Sequence, residues 1–301
     1  MPLAHTLMTT SKSSLWQPKT SLPMDSYEFT QWAELLKKRS GIFLPEKRKT
    51  FLLTNLNKRM RSLDITDYRQ YFNYVLVGRR GAVEWEILID HLTVHETRFF
   101  RNMESLQMLK EKFVPERVKL TDTPQINVWS VGCATGEEPY SLAMLLDLEF
   151  KQKRNDYYLS ITATDISHAS LSSGRKGIYH INRLTEMPDT YRRIYCRDVD
   201  KYHVEVIPEL RKRVCFSRLN LLNLSQVKIG KMDIIYCQNV LIYFQKKERL
   251  DFLELLVRHL KPGGVLILGA GEIMDWNHPD MAVIHYPGIL AYQRFNEGNL
   301  E

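Results

Sequence analysis

Between residues 25 and 90 the apolar positions recur at helical spacing. In SYEFTQWAELLKKRSGIFL, Phe29, Trp32, Leu35 and Leu36 fall on one helical face, and Gly41 supplies a stop. PEKRKTFLLTNLNKRMRSLDI opens with Pro45 as a helix N1 residue and carries Phe51, Leu52, Leu56 and Met60. DYRQYFNYVL and AVEWEILIDHL repeat the amphipathic pattern. Together these stretches predict a small all-helical domain over 25–92. The residues before it, 1–24, are rich in Ser, Thr, Lys and Pro and predict a mobile tail.

From about residue 125 the pattern changes to short apolar runs alternating with longer amphipathic ones. INVWSVG reads as a strand, EEPYSLAMLLDLEF as a helix, and LSITATDIS as a second strand with a helix to about 175. MDIIYCQNVLIYF holds a third strand, QKKERLDFLELLVRHL a helix, and GGVLILG a fourth strand. Alternation of this kind predicts an α/β domain with a parallel, doubly wound sheet over 125–297. The stretch 93–124 is a linker and helix between the two domains. Between 178 and 219 the alternation breaks, and KYHVEVIPELRKRVCFSRLNLL predicts short antiparallel strands inserted into the α/β domain.

Charge narrows the partners. Among 301 residues the net charge is +7, which favours nucleic acid, an anionic membrane or an acidic protein surface; a basic face that only aids solubility is the plainer alternative. No apolar run approaches the ~20 residues of a membrane-spanning helix, and the N-terminal stretch lacks the apolar core and cleavage site of a secretion signal. Cys133, Cys196, Cys215 and Cys237 form no C-x-x-C pair, which argues against a zinc site and for reduced thiols in a cytoplasmic protein; no metal is expected. With no sustained heptad pattern, a monomer is the default.

The chemistry concentrates in VGCATGEEPYSLA, residues 131–143. A glycine-bracketed turn leading into a helix ordinarily holds phosphate on backbone N–H groups. Here Glu137 and Glu138 follow at once, and carboxylates repel phosphate. The loop is not G-x-G-x-x-G, which weakens a nicotinamide dinucleotide. Asp165 ends the second strand, where an acid accepts hydrogen bonds from a ribose, although it lies 33 residues beyond Gly132 rather than the usual ~20. A nucleoside that is cationic and carries no phosphate fits both features, and S-adenosylmethionine is such a ligand. LKPGGVLIL, residues 260–268, adds the Pro-Gly-Gly turn and strand that recur in methyltransferases with this sheet. Singly, each piece has a plainer explanation: a tight turn for the glycines, a helix cap for Asp165.

With GIFLPEKRKTFLLTNLNKRM, LTVHETRFFRN, GCATGEEPYSLA, ATDIS, GIY, LNLL, CQNVLIYF and LKPGG in order, the chain resembles the chemotaxis-receptor glutamate O-methyltransferase family over about residues 25–295. The family fold, a helical domain followed by a Rossmann-like S-adenosylmethionine-dependent domain with a small antiparallel β-subdomain insert, agrees with the pattern above. The resemblance implies that His95, Thr97, Arg101, Glu137, Asp165, Asn220, Leu221, Gln238 and Asn239 bind the donor. It implies that Glu137 touches the methionine part or the sulfonium, that Asp165 holds the ribose, that Asn220 and Leu221 flank the adenine, and that Arg101 and Tyr243 face the substrate carboxylate. Two positions depart from the family: His95 stands where Asn is usual, and Gln238 where Arg is frequent.

The implied reaction transfers a methyl group to a glutamate carboxylate, giving a methyl ester and S-adenosylhomocysteine. A carboxylate with a pKa near 4.3 is already ionised at neutral pH, so no general base is needed; proximity and alignment are the task. The implied partner is the cytoplasmic helical region of a membrane chemoreceptor, in flagellar chemotaxis or a related system such as one controlling pili, with neither nucleic acid nor membrane insertion. Lys47, Arg48, Lys49, Lys58, Arg59 and Arg61 would form a basic ridge recognising it. The stretch YCRDVDKYHVEV is short and lacks glycine, so no tether to a receptor tail is expected. Two rival classes are a non-catalytic donor sensor and a nucleic-acid methyltransferase. Against the latter, CQNVLIYF lacks the Pro-Pro-aromatic motif of amino-group methylases, and Cys237 follows Tyr236 rather than Pro.

Overall fold

The computed structural model describes residues 23–121, 123–153 and 156–296. All but the last two residues of the expected tail lie outside them, and Met24 is buried in the helical core. Helix α1 (Ser26–Ser40) starts on a reciprocal cap in which Glu28 N–H donates to Asp25 Oδ1 at 2.7 Å and Asp25 N–H donates to Glu28 Oε2 at 3.0 Å. It ends where Gly41 takes φ 76° and donates to the Lys37 carbonyl, as the sequence predicted. Pro45 precedes a 3₁₀ turn, Glu46–Arg48, and α2 (Lys49–Ser62) begins only after it. With α3 (Tyr68–Leu76) and α4 (Gly78–Leu92) these helices close around Trp32, Leu36, Leu52, Leu56, Tyr71 and Leu88.

Helix α5 (Met103–Met108), a π-helical turn (Leu109–Phe113) and α6 (Val114–Leu120) lead into the α/β domain. Its strands are β1 (Gln125–Val131), β2 (Tyr158–Asp165), β6 (Val214–Arg218), β7 (Met232–Cys237), β8 (Leu260–Leu268), β9 (Met281–Ile284) and β10 (Leu290–Arg294), ordered β6-β2-β1-β7-β8-β10-β9. The first five run parallel; β10 is antiparallel to β8 and to β9. Successive residues of a strand point to opposite faces. Val128, Ile161 and Ile267 therefore pack on one side with α7 (Glu137–Lys153), and Trp129, Ile235 and Leu266 on the other with α11 (Lys246–His259).

The insert is smaller than the 178–219 predicted. Helix α8 (His168–Lys176) is followed by β3 (Ile178–His180), α9 (Asp189–Tyr195), β4 (Cys196–Asp198) and β5 (His203–Val206), with the three strands forming an antiparallel sheet ordered β3-β5-β4. After α10 (Pro208–Arg211) the chain returns, and β6 pairs in parallel with β2 from Val214↔Ile161 to Arg218↔Asp165. Val214 and Phe216 face the core while Cys215 and Ser217 face outward. An edge strand exposed on one side has the same alternating pattern as an antiparallel one, so the sequence did not separate them.

Candidate functional site

A site opens at the carboxyl ends of β1, β2 and β7, where the strand order reverses. Leaving β1, the chain turns so tightly that the N–H groups of Gly132 and Cys133 both donate to the Thr164 carbonyl, at 2.7 and 2.9 Å. Gly132 has φ 69°, and a Cβ there would meet Val240 Cγ2 at 2.3 Å, so the opposite loop approaches only because the position is glycine. Ala134 N–H donates to Asp165 Oδ2 and Ser167 N–H to Asp165 Oδ1, each at 2.9 Å. Burial pushes the Asp165 carboxyl above its ordinary range, and these N–H groups pull it back. The helix-cap alternative for Asp165 fails, because Ser167 caps α8 by accepting from Ser170 N–H. Each Asp165 oxygen keeps lone-pair capacity for another donor.

Two adjoining cavities meet here. One, of about 100 Å³, is lined by Ser40, Ile42, His95, Asp165, Asn220 and Leu221 among others. The second, of about 210 Å³, is lined by Thr97, Arg101, Glu138, Tyr236 and Gln238 among others. Val94, Gly132, Ala134, Asn239 and Tyr243 line both and form the shared wall. Of the donor-site residues expected from the sequence, all but Glu137 line one cavity or the other.

Glu137 is the correction. Its side chain is 1% exposed, accepts from Thr135 Oγ1 at 2.6 Å, and has the Arg183 guanidinium 3.8 Å away. The carboxyl that reaches the cavity is that of Glu138, one residue on and so about 100° round the helix. Glu138 Oε1 accepts from Ser130 Oγ at 2.7 Å. Desolvation pushes its pKa up to about 8. A carboxyl so placed is relieved by a cation, which the ammonium and sulfonium of S-adenosylmethionine supply; Asp165 suits the ribose, and Leu221 offers an apolar face for a base. The residues present therefore fit this donor.

The loop 93–102 forms one wall. His95 Nε2 lies 2.8 Å from Thr93 Oγ1 and 3.0 Å from the Asp90 carbonyl, while Nδ1 lies 2.9 Å from Ser170 Oγ. A single tautomer with hydrogen on Nε2 satisfies all three contacts. Phe100 is held at φ 55° with its N–H donating to Ser141 Oγ at 2.9 Å. Arg101 is exposed and donates one Nη1 bond to the Glu96 carbonyl at 2.9 Å, and among the described residues the rest of its fork has no hydrogen-bond partner and can receive a carboxylate. Asn102 caps α5, and the Tyr236 and Ser105 hydroxyls bond beneath it.

The opposite wall is the turn after β7, and it is held in place by a residue the sequence reading missed. Glu272 is 1% exposed. Its Oε1 accepts from the N–H groups of Val240 (2.7 Å) and Leu241 (2.9 Å), and its Oε2 from Gly269 N–H (2.7 Å). Burial raises its pKa and these bonds oppose the rise. The turn so fixed places Asn239 at φ 60° and carries Gln238 and Tyr243. Gln238 donates to the Leu268 carbonyl at 3.2 Å. Burial raises the pKa of Tyr243, with the Arg48 and Arg101 charges opposing. Of five non-glycine residues at positive φ among those described, Ala134, Phe100 and Asn239 line the site, so backbone strain is concentrated there. The only sequence signal for Glu272 was an acid in GAGEIMD four residues past Leu268, the end of β8.

The predicted basic ridge does not form as one surface. Arg59 is committed inward, with its Nε and Nη2 each 2.8 Å from the Glu84 carboxylate, which also accepts from Tyr71 Oη. Arg48 lies 6.0 Å from the Tyr243 ring, at the rim of the site, and Lys49 sits over Phe29. Lys58 belongs to the other end of α2, where its charge with that of Arg59 helps lower the pKa of His91, after burial. Lys47, Lys58 and Arg61 are exposed.

Known profiles and proteins match the chain over most of its length. A profile described as "CheR methyltransferase, SAM binding domain" matches residues 95–286, and one described as "CheR methyltransferase, all-alpha domain" matches residues 27–93. The chain is 31% identical over 255 residues to the chemotaxis protein methyltransferase of Borreliella burgdorferi, covering 83% of this chain and 89% of that one. It is 32% identical over 275 residues to chemotaxis protein methyltransferase 1 of Pseudomonas aeruginosa (87% and 96% covered). It is 32% identical over 263 residues to the chemotaxis protein methyltransferase of Escherichia coli (86% and 89%).

Proposed function

Since the chain belongs to the CheR methyltransferase family, whose S-adenosylmethionine-binding domain it carries, we propose that it methylates glutamate carboxylates on the cytoplasmic helical region of membrane chemoreceptors. The observation that carries this reading is the pair of joined cavities, with Asp165 in one, Arg101 in the other and Tyr243 on the wall they share.

S-adenosylmethionine supplies an electrophilic methyl group; the protein supplies geometry. Asp165 takes the ribose, Asn220 and Leu221 border the adenine, and Thr97, Gln238 and Asn239 line the path to the reacting end. Glu138, rather than Glu137, offsets the donor's positive charge. The Arg101 guanidinium orients the incoming carboxylate and the Tyr243 hydroxyl donates to it, holding an oxygen in line with the methyl carbon and sulfur. Neither group removes a proton, because the nucleophile is already an anion. His95 replaces the usual Asn while remaining bonded to Ser170 of α8, so it still ties this loop to the donor cavity. Arg48 beside Tyr243, with Lys47, offers positive charge to an acidic helix at the rim. Among the described residues no helix is long and apolar enough to cross a membrane, which suits an enzyme that meets receptors at their cytoplasmic ends.

The test is transfer from donor labelled in its methyl group, with chemoreceptor-bearing membranes and total RNA supplied separately. Label on a membrane protein, released as methanol by mild alkali, is expected. Alkali-stable label on RNA, or donor binding with no transfer to any receptor, would overturn the reading.

A further inference from the structure

Among the side chains through which the small antiparallel insert touches the site is one that no sequence motif marks. Arg183 lies just after β3, in the 3₁₀ turn Ile181–Leu184. Its Nη1 donates to the Thr97 carbonyl at 2.6 Å, and its own carbonyl accepts from Phe99 N–H at 3.2 Å. Its Nε stands 3.8 Å from Glu137 Oε1. Burial raises the pKa of the Glu137 carboxyl, while the hydrogen bond from Thr135 and the charge of Arg183 oppose that rise. One guanidinium thus bridges the insert, the loop that carries Thr97 and the helix that follows the glycine turn.

Tyr179 of β3 reinforces the bridge. Its hydroxyl donates to the Thr135 carbonyl at 2.8 Å, and its ring meets Phe99 edge-on at 4.9 Å. The insert therefore holds both the glycine turn and the facing loop, whose separation sets the width of the donor cavity. The loop is also held by the Phe100 N–H bond to Ser141 Oγ at 2.9 Å and by the Arg98–Glu186 pair at 2.7 Å, and Arg183 adds the tie from the Thr97 carbonyl to the Glu137 carboxylate. Glu137 lines neither cavity, and Thr97 accepts the bond from Arg183 through its backbone carbonyl oxygen.

We propose that Arg183 is a positioning residue for the methyl donor: it sets the distance between the Thr97 loop and the glycine turn without touching the reacting atoms. The inference rests on the donor-binding reading of the joined cavities. Its side chain is 44% exposed, so its replacement does not empty a core. Arg183→Met keeps the apolar stem and removes the fork and the charge. Arg183→Lys keeps a charge that can serve Glu137 or the Thr97 carbonyl but lacks the fork to serve both.

The experiment measures S-adenosylmethionine affinity by calorimetry, with no acceptor present, and turnover at saturating donor. For Arg183→Met the donor Kd is expected to rise about tenfold, the loss of one charge-assisted hydrogen bond, with turnover at saturation falling less than threefold. Arg183→Lys is expected between the two. Arg192→Met, which removes an exposed pair with Asp198 elsewhere in the insert, is expected to stay within twofold of the parent. A merely structural role would lower the active fraction, so turnover would drop with Kd unchanged; that result overturns the proposal. So does a Kd within twofold of the parent for Arg183→Met, or an equal loss with Arg192→Met. Failure of the parent protein to bind donor would instead overturn the donor-site reading itself.

Discussion

The two compartments of the site are built in different ways. Around Asp165 the anchors are local: the Gly132 and Cys133 amides close on Thr164, and Ala134 closes on Asp165, all within one strand–helix–strand unit. Around Arg101 and Tyr243 the anchors come from afar. The loop 93–102 hangs on Ser141 and Arg183, with Tyr236 bonding Ser105 just beyond it, and the turn 238–243 hangs on Glu272. In the proposed reading the donor's nucleoside end is held by a feature the parallel sheet makes wherever it reverses order. The transfer end is assembled from loops that only tertiary structure brings together, each pinned by a buried polar group. A local site is robust and recognisable, whereas an assembled one concentrates consequence in a few side chains outside any motif.

Substitutions on each side test this contrast. Asp165→Asn keeps the shape but turns an amide NH₂ toward Ala134 N–H or Ser167 N–H and loses a ribose acceptor. Calorimetry should show donor affinity falling about 100-fold, near the upper end for hydrogen bonds to a buried charged group. Less than a tenfold loss would mean that the nucleoside is held elsewhere. Glu272→Gln leaves a single carbonyl oxygen facing the N–H groups of Gly269, Val240 and Leu241. Turnover should fall on the order of tenfold and stability by about 2 kcal/mol, read by denaturant unfolding. If turnover survives while stability drops, the turn does not depend on its anchor.

The smallest expected effect is a pH dependence at the junction of the compartments. Glu138 carries a pKa of about 8 in the folded protein, above its unfolded value. Its contribution to the stability of the donor-free protein is therefore complete below the ordinary glutamate range near pH 4.3 and is lost as pH rises toward 8. Cationic donor favours the ionised form, so binding releases a proton and donor affinity should rise about fivefold between pH 6.5 and 8. Glu138→Gln should flatten that rise. A rise that persists in the variant would assign the titration to another group.

The same contrast explains what could be read in advance. The helical face of α1 and its Gly41 stop, the alternation of β1, α7 and β2, and the position of Asp165 all follow from periodicity and turn chemistry within a dozen residues. Glu137 and Glu138 are adjacent and chemically identical, and only the helix phase decides which one turns toward the cavity. Arg59 reads as one of a run of surface cations until Glu84, 25 residues on, claims it. Glu272 and Arg183 matter through backbone groups far along the chain, and hydrophobic patterning carries no trace of such partners. The resemblance to a family supplied residues of the transfer end that periodicity could not, but not the groups that hold them.

The seam between the two family domains runs through the cavity proposed for the donor. Ser40 and Ile42 line it from one side, Thr93, Val94 and His95 from the junction, and Phe43 N–H bonds the Tyr243 carbonyl at 2.7 Å. Recombination at residue 94, the natural breakpoint for a chimera, would splice two half-walls from different parents. Grafting a relative's helical domain to redirect receptor choice would therefore also retune donor affinity, unless the segment from Ser40 to Leu44 stays with the recipient.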